Sequence, residues 1–494
     1  MSFRRSAITA LMAGVAACGL STASFGGEYD GITIHIMTRP GKVIAQPLID
    51  HGVEFTKMTG AKVEVAEVPF AELFQKVQTD WTTGTNSVDI GVVTAGWVVE
   101  LFGAGLVADL TPFVEKDTKL DLQDIAPYFR ENNQKIQGKT IGLTIDGDFQ
   151  MVYYRKDVLD AAGLQPPKTW DDYLALAKAI NGKDMNGDGA PDYGSCIFKK
   201  RNAQSYFAIQ TVAASFVQSK GTAEGIAFFN DTMKPKVMND AWKKAFETFK
   251  ETGKYGPPDE LNMDIGDTRA LFKAGRCGLL IEWGDPGPLQ FEDDAKMVAN
   301  KLWAVAALGS KEILDPATGK LVPVTKENAP YSVDGINYAP FAAFGGWTMI
   351  ANAKSDPKVL KAAYDFMSYM SQPAQSNYDV TQGWTGYNPY RLSQFANLDG
   401  WLKIGFTKEA ANNYLDAIKS ALNNPNMVSD FKIPGAQQYT GVVLDRELAR
   451  YLAGEITVDE ALKNINDGWE EITEDFGRDK QKEFLALQLG TTNK

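Results

Sequence analysis

Between Tyr29 and Val93 the chain alternates two hydrophobic periods, and this alternation constrains the fold more than any other feature. Tyr29–Met37 places Ile32, Ile34 and Ile36 on one face, the two-residue period of a strand. Residues 43–58 read as a helix. Gly60–Val68 returns to strand spacing through Val63, Val65 and Val68, and residues 70–83 bring Leu73, Phe74, Val77 and Trp81 onto one helical face. Val88–Val93 is an apolar run of the buried-strand type. The order β-α-β-α-β predicts an open sheet with helices on both faces. Ligands of such sheets sit beyond the C-terminal strand ends, at a switch in strand order. Arg39, in the loop after the first strand, and Trp97, after the third, are candidate contacts on that ground.

The alternation continues downstream. Helical patterns cover residues 171–181, 204–217, 221–229 and 240–252, then 357–371, 407–423, 437–453 and 457–476. Arg276–Trp283 reads as a short strand running into Trp283-Gly284-Asp285, and Ala343–Ala351 as a strand holding Gly345-Gly346-Trp347. Residues 310–340 are loop-rich, with room for a hairpin. No short repeat and no low-complexity linker interrupts the chain.

Residues 139–173 carry the most specific local signal. A β-rich run, Thr140–Ile145, stops at Asp146-Gly147-Asp148, and Phe149–Tyr154 resumes it. A short helix from Lys156 ends at Gly163, a residue that takes the left-handed C-terminal conformation without steric cost. Pro166-Pro167 stiffens the link, and Thr169 with Asp172 forms a capping-box pattern. This stretch, with its Tyr-Tyr-Arg-Lys-Asp and Thr-Trp-Asp-Asp runs, resembles the extracellular solute-binding proteins of bacterial ABC transporters, in the maltose-binding-protein-like sugar-binding group. Gly345-Gly346-Trp347 followed by Asn352-Ala353-Lys354-Ser355-Asp356-Pro357, and the late loop Gly383–Ser393, fit the same resemblance.

The resemblance implies an α/β, two-lobed periplasmic-binding-protein fold of type II, with hinged and discontinuous lobes. The expected division is 28–143 with 302–386 for the first lobe, and 144–301 with 387–494 for the second. It also implies a monomeric substrate-binding subunit that captures a sugar or polyol in the interlobe cleft and delivers it to a permease and an ATPase at the inner membrane. Sugar recognition needs aromatic planes for the C–H faces of the ring and planar polar side chains for paired hydroxyl bonds. On that basis Arg39, Trp97, Asp146, Asp148, Trp283, Asp285, Trp347, Trp384 and Arg391 are the expected ligand-binding residues. Each has a plainer alternative: the tryptophans as packing, Asp146 and Asp148 as a solvated turn, Arg391 as a surface ion pair.

Composition agrees with an exported binding protein. A net charge of −12 over 494 residues argues against nucleic acid, whose phosphates require a basic face. Arg4-Arg5 and the apolar run Ala7–Cys18 read as a signal peptide, residues 1–23, with cleavage before Ser24. A lipobox ending at Cys18 is the competing reading, and either places the mature protein in the periplasm. Cys196 and Cys277 then remain, as a disulfide or as two buried thiols; by the family layout both sit on second-lobe strands. The only histidines, His35 and His51, are too few for most histidine metal sites or for a triad. A secreted glycoside hydrolase is the alternative function, but Asp146 and Asp148 are too close in sequence to flank a bond as acid and nucleophile. A chemoreceptor-coupled binding protein would share the fold.

One motif stands apart. Asp184, Asn186, Asp188, the Ala190 carbonyl and Asp192 fall at positions 1, 3, 5, 7 and 9 of an EF-hand-like loop, with Gly189 at 6. Position 12 is Ser195 in place of the bidentate Glu. The motif predicts either structural Ca2+ or an Asx-rich turn without metal.

Overall fold

The computed structural model describes residues 27–491; the expected signal segment 1–23 and Cys18 lie outside them. Two sheets organise the chain, each with its own helical cover. The first has the order Lys62–Glu67, Thr33–Thr38, Ile90–Thr94, Trp347–Ala351, Leu143–Thr144. Its first three strands are parallel, and Trp347–Ala351 enters antiparallel to both neighbours. The second has the order Leu302–Val305, Met151–Arg155, Cys277–Glu282, Tyr193–Cys196. Strand pleating explains the sequence pattern: Ile34 and Ile36 are buried while His35 between them faces out. Met151–Arg155 and Cys277–Glu282 are buried along their whole length, as central strands covered on both faces.

Local signals read from the sequence are present as built features. Gly163 has φ 66°, and the Thr169 hydroxyl accepts from the Asp172 amide at 3.2 Å while Asp172 accepts from the Thr169 amide at 2.9 Å. The Glu312–Asp315 and Lys320–Pro323 strands pair as a hairpin inside the loop-rich segment. Cys196 and Cys277 are joined as a disulfide, with Cα atoms 5.8 Å apart.

Two expectations need correction. The first lobe does not resume at residue 302. Leu302–Val305 pairs with Met151–Arg155 at the edge of the second sheet, and the following hairpin packs on helices Ser205–Val217 and Asp240–Thr252 of that lobe. The return to the first lobe comes only at Trp347, because an edge strand needs a ladder partner and the second sheet supplies it. Residues 221–229 are also not helical. Gly221 and Gly225 hold φ 106° and 71°, and Phe228 bridges to Pro235, so no helical ladder can propagate.

The chain therefore crosses between lobes three times, near Asp146, Phe344 and Asn388. The segment after Asp430 adds a strap back onto the first lobe. The Gly435 amide donates to Glu100 Oε2 at 3.0 Å, and Lys432 Nζ to Asn133 Oδ1 at 2.7 Å.

Candidate functional site

The three crossings meet at one carboxylate. Asp146 Oδ1 accepts from the Asn388 amide at 2.6 Å and Oδ2 from the Trp347 amide at 3.3 Å. Close approach is possible because Gly346 has no side chain: a Cβ there would lie 1.9 Å from the Asp146 carbonyl oxygen. Asn388 passes the contact onward, donating from Nδ2 to Asp148 Oδ1 at 2.8 Å and lying 3.4 Å from Asp285 Oδ2. Arg269 closes the chain of contacts. It donates to Asp285 at 2.8 Å and to both oxygens of Glu282 at 3.0 and 3.1 Å.

Above this polar floor lies a small chamber of about 30 Å³, walled by Asp148, Trp283, Asp285, Phe344 and Trp347 with Arg39 from the first lobe. It shares Arg39, Val43, Gln204, Ile265 and Arg269 with a cleft of about 560 Å³ that runs between the lobes. That volume is of small-molecule size, within the usual range of roughly 300–1,000 Å³. A larger cavity, about 870 Å³, is elsewhere, on the flank of the first lobe between helices Ala45–Thr59 and Pro357–Ser371. Two of its carboxylates are already engaged, Asp117 with Tyr364 and Ser368, Asp365 with Tyr29 and Lys361. It lacks the convergence of the cleft.

Burial sets the electrostatics of the floor. It raises Asp146 to about 7. Asp148 is held well above the ordinary carboxylate range by burial first, then by the charges of Asp146 and Asp285. Burial thus favours the protonated form of Asp148, the form that can donate as well as accept. Burial also raises Glu282. For Arg269 burial acts downward, but the adjacent Asp285 and Glu282 outweigh it and hold the guanidinium above its usual value. Arg39 is lowered, by burial and then by the like charge of Arg269.

The structure brings Arg39, Asp148, Trp283, Asp285 and Trp347 together on the cleft wall. Trp283 presents an edge more than a free face, since one side stacks on Phe198 at 5.5 Å and its Nε1 donates to the Ala343 carbonyl at 3.0 Å. Trp384 is half-buried on the loop that contributes Gly386 to the chamber, with Lys42 Nζ 5.4 Å from its ring centre.

Three expected contacts fall elsewhere. Asp146 lies beneath the chamber, its oxygens spent on hinge amides. Trp97 stacks behind Phe70 at 5.2 Å and donates to Gln437 at 3.3 Å, so Phe70 and not Trp97 reaches the cleft. Arg391 is fully buried away from it, donating to the Leu120, Asp121 and Ser371 carbonyls and to Asp124. The short ladder contact between Ile125 and Arg391 turns that side chain into the first-lobe loop.

Sequence reasoning passed over Gln204, Asn388 and Arg269. A signal for Arg269 existed: Asp264 and Asp267 form a capping box that starts helix Ile265–Lys273, with Arg269 one turn in. Gln204 gave none, because its exposure to the cleft follows from a left-handed φ of 74° at the start of a helix.

The EF-hand-like loop closes on itself. Asp184 accepts from the Gly187 and Gly189 amides, at 2.6 and 2.9 Å, and Asp188 from the Ala190 amide at 2.8 Å. Asp192 pairs with Arg276 at 2.9 Å. Asn186 bonds to Asp188 at 3.1 Å. Among the described residues, no group of three or more His, Cys, Asp or Glu is placed to hold an ion.

Comparison with known proteins places this geometry in a family. Residues 52–401 match the profile of the bacterial extracellular solute-binding proteins. A mannitol-binding protein of Pseudomonas aeruginosa is 27% identical over 241 residues, 46% of this chain and 49% of that one. An erythritol/L-threitol-binding protein of Mycolicibacterium smegmatis is 28% identical over 180 residues, 33% of this chain and 37% of that one. The chain thus spans about half the length, or less, of these curated relatives. Among solved structures, a solute-binding protein of Agrobacterium radiobacter in complex with ribitol superposes with a TM-score of 0.72 at 20% identity, covering 90% of this chain and 99% of that one. One from Agrobacterium vitis with bound D-mannitol gives 0.67 at 23%, covering 90% and 99%. At these identities the likeness shows the fold, two hinged lobes of the type II class.

Proposed function

The chain belongs to the bacterial extracellular solute-binding proteins, and from that premise we propose that it captures a sugar or polyol between its lobes for an ABC importer. The observation that carries the reading is the cleft itself. Aromatic edges from Trp283, Trp347 and Phe70 stand over a floor of linked planar polar groups, and that floor is the point where all three interlobe crossings are tied. Ligand contact at Asp148 or Asp285 bears directly on the hinge, the coupling that a capture-and-close protein requires. Arg39, Asp148, Asp285 and Arg269 supply the hydrogen bonds, while Trp347 and Trp283 cover C–H surface.

The partners in this reading are a permease and an ATPase at the inner membrane, and the working unit is a monomer in the periplasm. Cleavage before Ser24, in preference to tethering through Cys18, belongs to the same proposal. No covalent chemistry is invoked. Asp146 and Asp148 both bond to Asn388, one to its amide and one to its side chain, and so do not face each other across a substrate as a glycosidase pair would.

A thermal-shift screen against sugars and polyols tests the reading, because a ligand that binds only the folded state raises the midpoint. The expected result is a shift with at least one member, a smaller radius of gyration by small-angle scattering, and intact ligand recovered by mass spectrometry. Cleaved, phosphorylated or oxidised ligand would overturn it.

A further inference from the structure

We propose that the cleft selects a polyhydroxylated ligand bearing a carboxylate, a sugar acid of the aldonate or uronate class, with Arg39 as the residue that receives the acid group. The inference rests on the reading of the cleft as a carbohydrate site and narrows it. Three cations line the cleft and chamber among the described residues: Arg39, Arg269 and Lys273. Arg269 is held by Glu282 and Asp285, and Lys273 by Glu292 and Asp294. Arg39 has neither a salt bridge nor a hydrogen bond to any described residue, and its Nε is buried without a partner.

The carboxylates near it are committed elsewhere. Asp285 serves Arg269, and Asp264 caps its own helix and reaches Lys200 at 3.4 Å. Asp148, which shares the chamber with Arg39 and Asp285, has its charged form disfavoured by burial and is a poor counter-charge for the guanidinium. A half-buried cation without a counterion is unfavourable, and a planar guanidinium matches a carboxylate in two parallel bonds.

A second, independent feature has the same polarity. Helix Ser205–Val217 begins at Gln204, which lines both the chamber and the cleft. No side chain caps that end, no acidic residue stands in its first turn, and Ser205 Oγ is buried without a partner. The open amides of a 13-residue helix thus present positive potential to the chamber that Arg39 enters. One unpartnered guanidinium calls for one negative charge, which a carboxylate supplies and a phosphate dianion exceeds. Hydroxyls of the ligand are left to Asp148, Asp285 and the tryptophan edges.

The test is titration calorimetry on the full chain with matched pairs: ribitol against ribonate, mannitol against mannonate, galactose against galacturonate, and one sugar phosphate. The acid of at least one pair is expected to bind about ten- to a hundredfold tighter than its neutral partner, the ratio a charge-assisted bond contributes. Arg39→Gln is expected to abolish that preference, and to unfold at the same or a higher midpoint without ligand. Binding by neutral members with no acid of any pair tighter than its partner overturns the inference and leaves the carbohydrate reading standing. Tighter binding of the phosphate overturns the carboxylate class. No binding by any sugar, acid or polyol overturns both.

Discussion

Arg391 and Arg39 were drawn from the sequence as the same kind of residue, a cation on a loop near the ligand. In the folded protein they are opposites. Arg391 is fully buried at the hinge side with its terminal nitrogens on three carbonyls and Asp124. Arg39 lines the cleft and touches no described acceptor. The hinge engages the terminal nitrogens of Arg391 internally and so fixes geometry, although Arg391 Nε, like that of Arg39, is buried without a partner. The cleft leaves one strong donor unmatched and so reserves it for something that arrives. Substitution should separate the two uses. Arg391→Ala strands three buried carbonyls and Asp124, and is expected to lower the unfolding free energy by about 3–5 kcal/mol, the cost of removing one partner from a buried charged cluster. Arg39→Ala removes a charge that has no partner, so its stability should stay within about 1 kcal/mol of wild type while ligand affinity falls. Urea denaturation of both variants decides it. Equal losses would erase the contrast.

Trp283 and Trp384 sharpen the same comparison. Trp283 stacks on Phe198 and meets Phe207 edge-on at 5.5 Å, so Trp283→Ala should lose about 3 kcal/mol of stability together with affinity. Trp384 is half-buried under Lys42, and its replacement by Ala should change stability by less than about 1 kcal/mol. Parallel calorimetry and denaturation on the two variants give the four numbers needed.

What the sequence disclosed followed from short-range physics. Strand and helix periods marked most elements of both lobes, though they misread 221–229 as a helix and missed helix Ile265–Lys273, while the Thr169–Asp172 box and Gly163 marked helix ends. The lobe boundary at 302 was misplaced because pairing of Leu302–Val305 with Met151–Arg155 is a long-range choice, invisible to periodicity. The site divides likewise. Asp148, Trp283, Asp285 and Trp347 sit at strand ends, where topology puts ligands, and could be named. Arg391, Trp97 and Asp146 also follow strands or loops near the cleft, yet face inward. A one-dimensional pattern gives an element's position and not the direction of a side chain beyond it.

The hinge carboxylate makes a pH prediction. Asp146 titrates at about 7 in the folded protein because it is buried, against about 3.9 in an unfolded chain. Its folded form therefore holds a proton more tightly across that interval. The sign follows from linkage: this contribution to stability is complete below the unfolded value and is lost as pH rises through about 7. The charge of Asp285 acts on Asp146 in the same sense as burial, while the contacts with Asp148, the Asn388 amide and the Trp347 amide oppose it. Wild type should thus lose stability relative to Asp146→Asn between pH 5 and 8, by a few degrees in midpoint at most, roughly 2–4 °C. Parallel pH profiles for the two proteins would refute the assignment of the slope to Asp146.

The smallest effect is expected where the motif was clearest. Residues 184–192 have the carboxylates and glycines of a calcium loop, and Gly187 and Gly189 hold the left-handed φ values, 82° and 84°, that such loops use. The loop nevertheless lacks what would draw a cation in. Asp192 is neutralised by Arg276 at 2.9 Å and accepts the Met185 amide at 2.7 Å. Ser195, at the position of the bidentate glutamate, is buried with its hydroxyl 2.7 Å from the Tyr173 hydroxyl. A calcium ion would have to displace a guanidinium and would find one strong ligand fewer than the motif supplies. Added calcium after chelator treatment is therefore expected to move the melting midpoint by less than about 1 °C, the response of a ligand present below its dissociation constant. Arg276→Ala tests the reason: freeing Asp192 should create or strengthen a calcium response, and Asp188→Ala in that background should remove it. A large calcium shift in wild type, abolished by Asp188→Ala alone, would show that the ion outcompetes Arg276. The loop would then join the cleft as a region that holds its groups in reserve for a ligand.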